Sequence, residues 1–104
     1  MAVYMITYDI KVVDNFEYPK LYEAIKGISG EWCHPQESVW FVDTIIFSSR
    51  DIMAKLQPCL TLREHGGDSI IVIRCTSDSS GYSYKEANDW INSPYRTWET
   101  PAYL

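Results

Sequence analysis

The sequence has few cysteines and no long apolar run, and each shortage excludes a class of protein. Its three cysteines, Cys33, Cys59 and Cys75, lie far apart and form no CxxC pair. Neither a disulfide framework nor a structural zinc site is therefore predicted, and we expect reduced thiols. No segment approaches the roughly 18 apolar residues of a membrane-spanning helix, and no export signal opens the chain. We expect a cytoplasmic protein without membrane attachment.

Basic residues are also scarce. Nine Lys and Arg residues stand against fourteen Asp and Glu residues, which gives a net charge of -5 at pH 7. Because phosphate neutralisation needs clustered bases, wrapping of long nucleic acid over a broad basic surface is not favoured, although a local basic patch stays open. The pair Gly66 and Gly67 lacks the lysine and the helix of a phosphate loop, so no nucleotide site is predicted.

What the chain does contain is enough apolar and aromatic surface for one folded domain. Its 104 residues are 46% hydrophobic, 14% aromatic and 22% charged, which is typical of a globular protein rather than a disordered one. Eight tyrosines and four tryptophans are many for this length. Aromatic rings of this kind are enriched at protein interfaces, so a second protein chain is an expected partner.

Apolar residues alternate along some segments and recur every three or four residues along others, which are the periods of strands and helices. Strand one ends in MITYDI, helix one follows Pro19, a hairpin breaks between Pro35 and Ser38, a Ser48–Asp51 capping box opens helix two, and SIIVIRC forms strand four. This order predicts an α+β domain. The expected architecture is a ferredoxin-like two-layer sandwich (βαββαβ) with the antiparallel sheet order 4-1-3-2 and both helices on one face.

The last part of the chain differs from this pattern. Residues 1–80 account for the ferredoxin-like domain, and residues 81–104 are expected to form a short C-terminal helix and an aromatic arm. Ser83 and Glu86 have the spacing of a capping box for that helix. Because free aromatic side chains would leave apolar surface in water, the arm is expected to pack on the domain or on a dimer partner.

Acidic residues are predicted to meet at one edge of the sheet. Asp9 closes strand one and Asp68 directly precedes strand four, and in this topology both lie beside the hairpin residue Ser38, while Asp43 falls at the opposite edge. A hard cation such as Mg²⁺ or Mn²⁺ prefers such oxygen ligands, which makes Asp9 and Asp68 candidate metal ligands.

A plainer interpretation remains open beside the metal site. Asp9, Asp14 and Asp68 are equally typical of turn residues whose carboxylates bond nearby backbone amides. His65 is placed within reach of this edge as a general base, although a surface turn histidine is the more common case. His34 follows Cys33, but neighbouring strand residues point to opposite faces, so this pair is not expected to form a nucleophile and its base.

Two short motifs resemble a known superfamily. YDI at residues 8–10 and QESVWF at residues 36–41 resemble the paired signature of the small CRISPR-associated adaptation protein, the second universal Cas protein. They are also similar to its relatives, the VapD-type ribonuclease toxins and the stand-alone SinR-like proteins. The resemblance covers residues 2–76. It implies a ferredoxin-fold homodimer in which strand-one aspartates of two subunits support metal-dependent cleavage of nucleic acid.

Carried over to this chain, the resemblance implies Asp9 as a ligand of Mg²⁺ or Mn²⁺ and Ser38 as a nearby hydroxyl. It implies Tyr8 as a packing or phosphate-contacting neighbour. The chain departs from the nuclease members, which often carry an arginine in the loop after the aspartate, where this sequence has DNF at residues 14–16. SVWFVDT and PKLYEAIKGI look closest to the SinR-like branch.

Two functions follow from these features. The missing arginine, the net acidity and the absence of a basic track favour a catalytically silent interaction or regulatory module. The alternative is a metal-dependent endonuclease, acting on RNA or DNA, that uses Asp9 from both subunits of a homodimer.

Overall fold

The computed structural model describes residues 2–10, 17–60, 67–78 and 80–98. The elements in chain order are β1 (Ala2–Asp9), α1 (Glu17–Lys26), β2 (Trp32–Gln36), β3 (Val39–Thr44), α2 (Ser49–Leu56), a 3₁₀ turn (Gln57–Cys59), β4 (Ser69–Cys75) and α3 (Lys85–Ile91). The predicted α+β class is confirmed.

The four strands form one antiparallel sheet in the order β2-β3-β1-β4, with β1 and β3 in the interior. Along β1 the side chains alternate between the two faces of the sheet, as a strand requires. Tyr4, Ile6 and Tyr8 point to the face that carries the helices, and Ile6 lies level with Trp40 of β3 and Val72 of β4. This face and its helices form the hydrophobic core.

The helices contribute one apolar stripe each to this core. In α1 and the turn after it, Leu21, Ile25 and Ile28 recur at helical spacing and are buried. In α2, Ile52 and Leu56 lie one turn apart and are fully buried. Both stripes pack in the same cluster as the inward residues of the sheet, so α1 and α2 form one layer over this face.

The start of α2 follows the sequence prediction closely. The Ser48 hydroxyl accepts a hydrogen bond from the Asp51 amide, and the Asp51 carboxylate accepts one from the Ser48 amide. This capping box satisfies two amides that a helix otherwise leaves unpaired. Hydrogen bonding from Ser48 lowers the pKa of the exposed Asp51 carboxyl. The helix ends at Leu56, and the 3₁₀ turn that follows contains Pro58.

The predicted capping box at Ser83 and Glu86 is wrong. The residue before α3 is Tyr84, and no side chain caps the helix. The Tyr84 hydroxyl instead donates to the carbonyl oxygen of His34 at 2.7 Å. The Ser83 carbonyl accepts from the side-chain amide of Asn88. Helix α3 therefore begins one residue later than the Ser83–Glu86 spacing predicts, and Tyr84, the residue before it, contacts β2.

The hairpin between β2 and β3 is tighter than predicted. Only Glu37 and Ser38 form the turn, and Pro35 and Gln36 belong to β2. The pairing of β2 with β3 is irregular between Cys33 and Gln36. Proline lacks an amide donor, and it is tolerated here because β2 is an edge strand with a local irregularity.

The outer face of the sheet, opposite α1 and α2, is covered over β2 and β3. Helix α3 packs there, with the Trp90 ring 6.5 Å from the ring of Phe41, and Cys33 is buried beneath this layer. Over β1 and β4, Met5 and Thr7 are half-buried, and Ile71 and Ile73 are 53% and 47% exposed. We call these four residues the open strip.

Every helix within the described ranges falls short of the length and apolar character needed to cross a membrane.

Candidate functional site

Asp9 stands at the tip of β1 and is exposed. Its backbone lies level with Ser69, the first residue of β4. Because side chains alternate along β1, Asp9 belongs to the outer face of the sheet, together with Thr7 and Met5. The carboxylate is thus accessible to solvent and continues the line of the open strip.

Tyr8, the residue before Asp9, points the other way and is buried. Its hydroxyl donates to the carbonyl oxygen of Glu37 at 2.9 Å and accepts from Nε1 of Trp40 at 3.2 Å. Its amide donates to the carbonyl oxygen of Ser38 at 3.1 Å. The structure therefore places Tyr8 in a packing role, in which it ties the end of β1 to the hairpin turn.

The other residues predicted at this edge, Ser38 and Asp68, lie at the same end of the sheet as Asp9. We call this end the rim, and its residues are Tyr8, Asp9, Ser38 and Asp68. Ser38 is half-buried in the turn, and its carbonyl oxygen meets β1 one residue before Asp9. Asp68 directly precedes Ser69 and is buried. Asp43 pairs with Val3 near the start of β1, at the opposite edge.

These rim residues do not form a preassembled metal site in the part of the chain that the structure describes. No cluster of three or more His, Cys, Asp or Glu side chains there is arranged to hold a metal ion. Asp14 and His65, which the sequence also places near this edge, lie outside the described residues. Within the described ranges, Asp9 lies at the end of β1 and Asp68 lies just before the paired strand β4. The Asp9 side chain is exposed, and the Asp68 side chain is buried.

An aromatic cluster next to the rim was not predicted as a unit. The His34 ring stacks on Trp40 with ring centroids 4.0 Å apart, and Tyr22 meets His34 edge-on at 5.1 Å. Nε2 of His34 lies 3.1 Å from the carbonyl oxygen of Glu37, the acceptor that Tyr8 also uses. The Tyr8 side chain of β1 and the His34 ring of β2 therefore both contact the carbonyl group of Glu37 in the hairpin turn.

Cys33 and His34 point to opposite faces, as strand alternation predicts. Cys33 is buried on the outer face, and this burial raises the pKa of its thiol. His34 packs in the aromatic cluster on the other side. The two side chains therefore have separate packing environments on either side of β2.

The opposite edge holds an ionic cluster around the buried side chains of Asp43 and Arg96. We call it the Asp43 clamp, and its members are Glu31, Asp43, Arg96 and Thr97. The Asp43 carboxylate accepts from the Thr97 amide at 2.9 Å, from the Thr97 hydroxyl, and from Nη1 of Arg96 at 3.5 Å. Arg96 also pairs with Glu31 at 2.8 Å and lies over the Trp90 ring at 4.0 Å.

The Asp43 clamp fastens the segment after α3 to the sheet. The side chains of Arg96 and Asp43 are 5% and 4% exposed, so their charges are shielded from water. The one sequence signal for it was an aspartate in the apolar run VWFVDT, because a strand acid of this kind needs a partner if it is buried. Nothing local identified Arg96 as that partner.

Comparisons with protein families, with curated proteins and with solved structures found no match to this chain. The resemblance based on residues 8–10 and 36–41 therefore stays a prediction. Function has to be argued from the site itself.

Proposed function

We propose that this protein is a catalytically silent, homodimeric interaction or regulatory module of the cytoplasm. We assign it the ferredoxin-like fold and a relationship to the stand-alone SinR-like proteins. The observation that carries the proposal is that Tyr8, Ser38 and Asp68 at the rim are engaged in packing or buried. The Tyr8 hydroxyl is engaged with both Glu37 and Trp40, Ser38 contributes its backbone to the join with β1, and Asp68 is buried.

The homodimer is supported by the open strip. Ile71 and Ile73 present about half of their apolar surface on a sheet face whose other half is covered by α3 and the segment after it. Contiguous exposed apolar surface of this kind marks interaction sites in soluble proteins. Two-fold symmetry is the commonest arrangement for identical chains, because one self-complementary patch then serves both. Free Cys33, Cys59 and Cys75 are compatible with a reducing compartment.

One observation favours the alternative, an endonuclease dependent on Mg²⁺ or Mn²⁺. Asp9 is exposed and lies on the same face as the open strip. Two copies that packed through this strip would bring both Asp9 residues to one interface. A pair of carboxylates contributed in this way would suit a hard divalent cation, with RNA or DNA as the substrate. Ser38 and Asp68 would be the neighbouring groups.

Sedimentation equilibrium of the full chain tests the dimer. We expect the parent protein to sediment as a dimer and Ile73→Glu to sediment as a monomer, because a carboxylate in the open strip would have to lose its hydration on association. Ile46→Glu is the matched control, since Ile46 is 71% exposed and lies outside the strip. A monomeric parent protein, or equal behaviour of the two variants, would contradict this assignment.

A further inference from the structure

A groove runs between helix α2 and the edge strand β4. It consists of two adjoining hollows of about 390 and 370 Å³, which share Met53 and Gln57 as lining residues. Residues 49 and 54 of α2 extend it at one end, and Leu60 extends it at the other. Because the shared residues join the two hollows, they form one continuous channel along the strand, which we call the α2–β4 groove.

Strand β4 lies at the edge of the sheet, with β1 as its neighbour on one side. On the other side, no described strand pairs with its backbone. Such an edge offers a row of amide and carbonyl groups to an added strand. Ile70 and Val72 line the groove, while Ile71 and Ile73 lie on the outer face. Hydrogen-bonding capacity and an apolar groove thus run side by side along the strand.

One end of the α2–β4 groove carries exposed positive charge. Arg50 lines the end near Val72, and Arg74 lies two residues beyond Val72 on the same face of β4. Both arginines are exposed. Asp68 lines the other end, beside Leu60. A segment lying in the groove would therefore meet positive charge at the end near Val72, which favours an acidic residue there.

We infer that the α2–β4 groove binds an extended peptide segment of a partner protein, which pairs with β4 as an added antiparallel strand. Alternate apolar side chains of the peptide enter the groove, as in other cases of β-strand addition. Antiparallel pairing is slightly more stable than parallel pairing. The bound segment therefore begins with an acidic residue near Arg50 and Arg74.

This inference rests on the proposed interaction-module function and names its partner surface. The proposed dimer buries the open strip, which lies on the outer face of the sheet. The groove lies on the helix-bearing face, so it stays accessible in that dimer. A second copy of this chain is the competing occupant of the β4 edge, and the experiment below separates the two.

The test is a titration of the isotope-labelled full chain with the acetylated and amidated peptide ETVTVTK, in which the glutamate and both valines share one face of the strand, followed by amide chemical shifts. We expect saturable shifts along residues 69–73 and at Met53 and Gln57. The same peptide with its first valine replaced by proline should bind at least about tenfold more weakly, since proline removes an amide and disrupts strand pairing.

Two protein variants locate the binding. Met53→Lys puts a charge in the middle of the groove and should weaken binding by at least about tenfold. Tyr95→Lys puts the same charge at an 82% exposed position outside both the groove and the open strip, and should leave the affinity within about twofold. Gln57→Glu serves as the second groove variant if the spectrum of Met53→Lys shows that it does not fold.

Absence of saturable shifts, or equal binding of the proline peptide, would overturn the inference. So would shifts of Met53 and Gln57, which lie outside the open strip, if they depend on protein concentration without peptide, because the occupant of the groove would then be a second copy. Peptide binding by a protein that sediments as a monomer would contradict the proposed dimer and leave the groove assignment intact.

Discussion

Replacing Trp40 with alanine is expected to lower the free energy of unfolding by about 3–5 kcal/mol. Trp40 is 1% exposed and lies in β3 against the rings of Tyr22, Trp32 and His34, at centroid distances of 5.3, 5.1 and 4.0 Å. Its indole also donates to the Tyr8 hydroxyl. The substitution leaves a cavity among side chains from three elements, which can collapse only in part.

Urea unfolding followed by far-ultraviolet circular dichroism measures this loss. Tyr95→Ala is the control, since that ring is 82% exposed and its truncation should change the free energy of unfolding by no more than about 0.5 kcal/mol. Trp40→Phe keeps a ring and loses the indole donor, so an intermediate loss is expected. If Trp40→Ala cost no more than Tyr95→Ala, the aromatic cluster would not be the centre of the core.

Asp43→Ala is the second large expected effect, about 3–5 kcal/mol in the free energy of unfolding. The Asp43 carboxylate accepts from the amide and hydroxyl of Thr97 and from Arg96. Its removal leaves Arg96 buried, with Glu31 as the remaining partner of its charge in the Asp43 clamp. The loss therefore comes from the Thr97 amide and hydroxyl, which are left without this acceptor, and from a buried guanidinium that keeps one carboxylate partner instead of two.

The matched control for this substitution is a pair on the surface. Nζ of Lys85 lies 2.6 Å from Oδ2 of Asp89, and the two side chains are 83% and 63% exposed. Exposed pairs one helical turn apart contribute about 0.3–0.5 kcal/mol, so Lys85→Ala should have a correspondingly small effect. Comparable losses for Asp43→Ala and Lys85→Ala in urea unfolding would show that the Asp43 clamp is not buried in solution.

The same substitution has a chemical signature. Cys33 is buried near Arg96, and burial raises the pKa of its thiol. If loss of the Asp43 clamp releases the segment after α3, Cys33 gains access to water and the pKa of its thiol falls toward its ordinary value. Because the thiolate is the reactive form, Cys33 should then react faster with a thiol reagent at a given pH. Unchanged reactivity in folded Asp43→Ala protein would contradict release of the segment.

Local periodicity was sufficient for the element types. The alternation of MITYDI and SIIVIRC predicts β1 and β4, and the Ser48–Asp51 capping box is present as expected. The signals in these cases lie within a few residues of one another. The class of the fold follows from the order of such elements, because the strands and helices have few compact ways to bury their apolar faces.

Contacts between distant residues were beyond the reach of the sequence. Tyr84 and His34 are 50 residues apart, and a contact between them accompanies the helix start that the Ser83–Glu86 spacing mispredicts. Arg96 and Asp43 are 53 residues apart, and nothing local pairs them. At the candidate site, the position of Asp9 followed from strand order. Tyr8 and His34 share the carbonyl oxygen of Glu37 as a partner, and only the packed structure shows this.

Cleavage of labelled single-stranded RNA and double-stranded DNA in Mg²⁺ or Mn²⁺ tests the central claim most directly, with the parent protein, Asp9→Asn and Asp89→Asn run side by side. Asp89 is an exposed helix acid outside the rim, so its variant controls for the loss of one negative charge. The proposed function predicts no cleavage above background by any of the three. Cleavage by the parent protein and Asp89→Asn that disappears in Asp9→Asn would contradict it and make the tip of β1 a catalytic site.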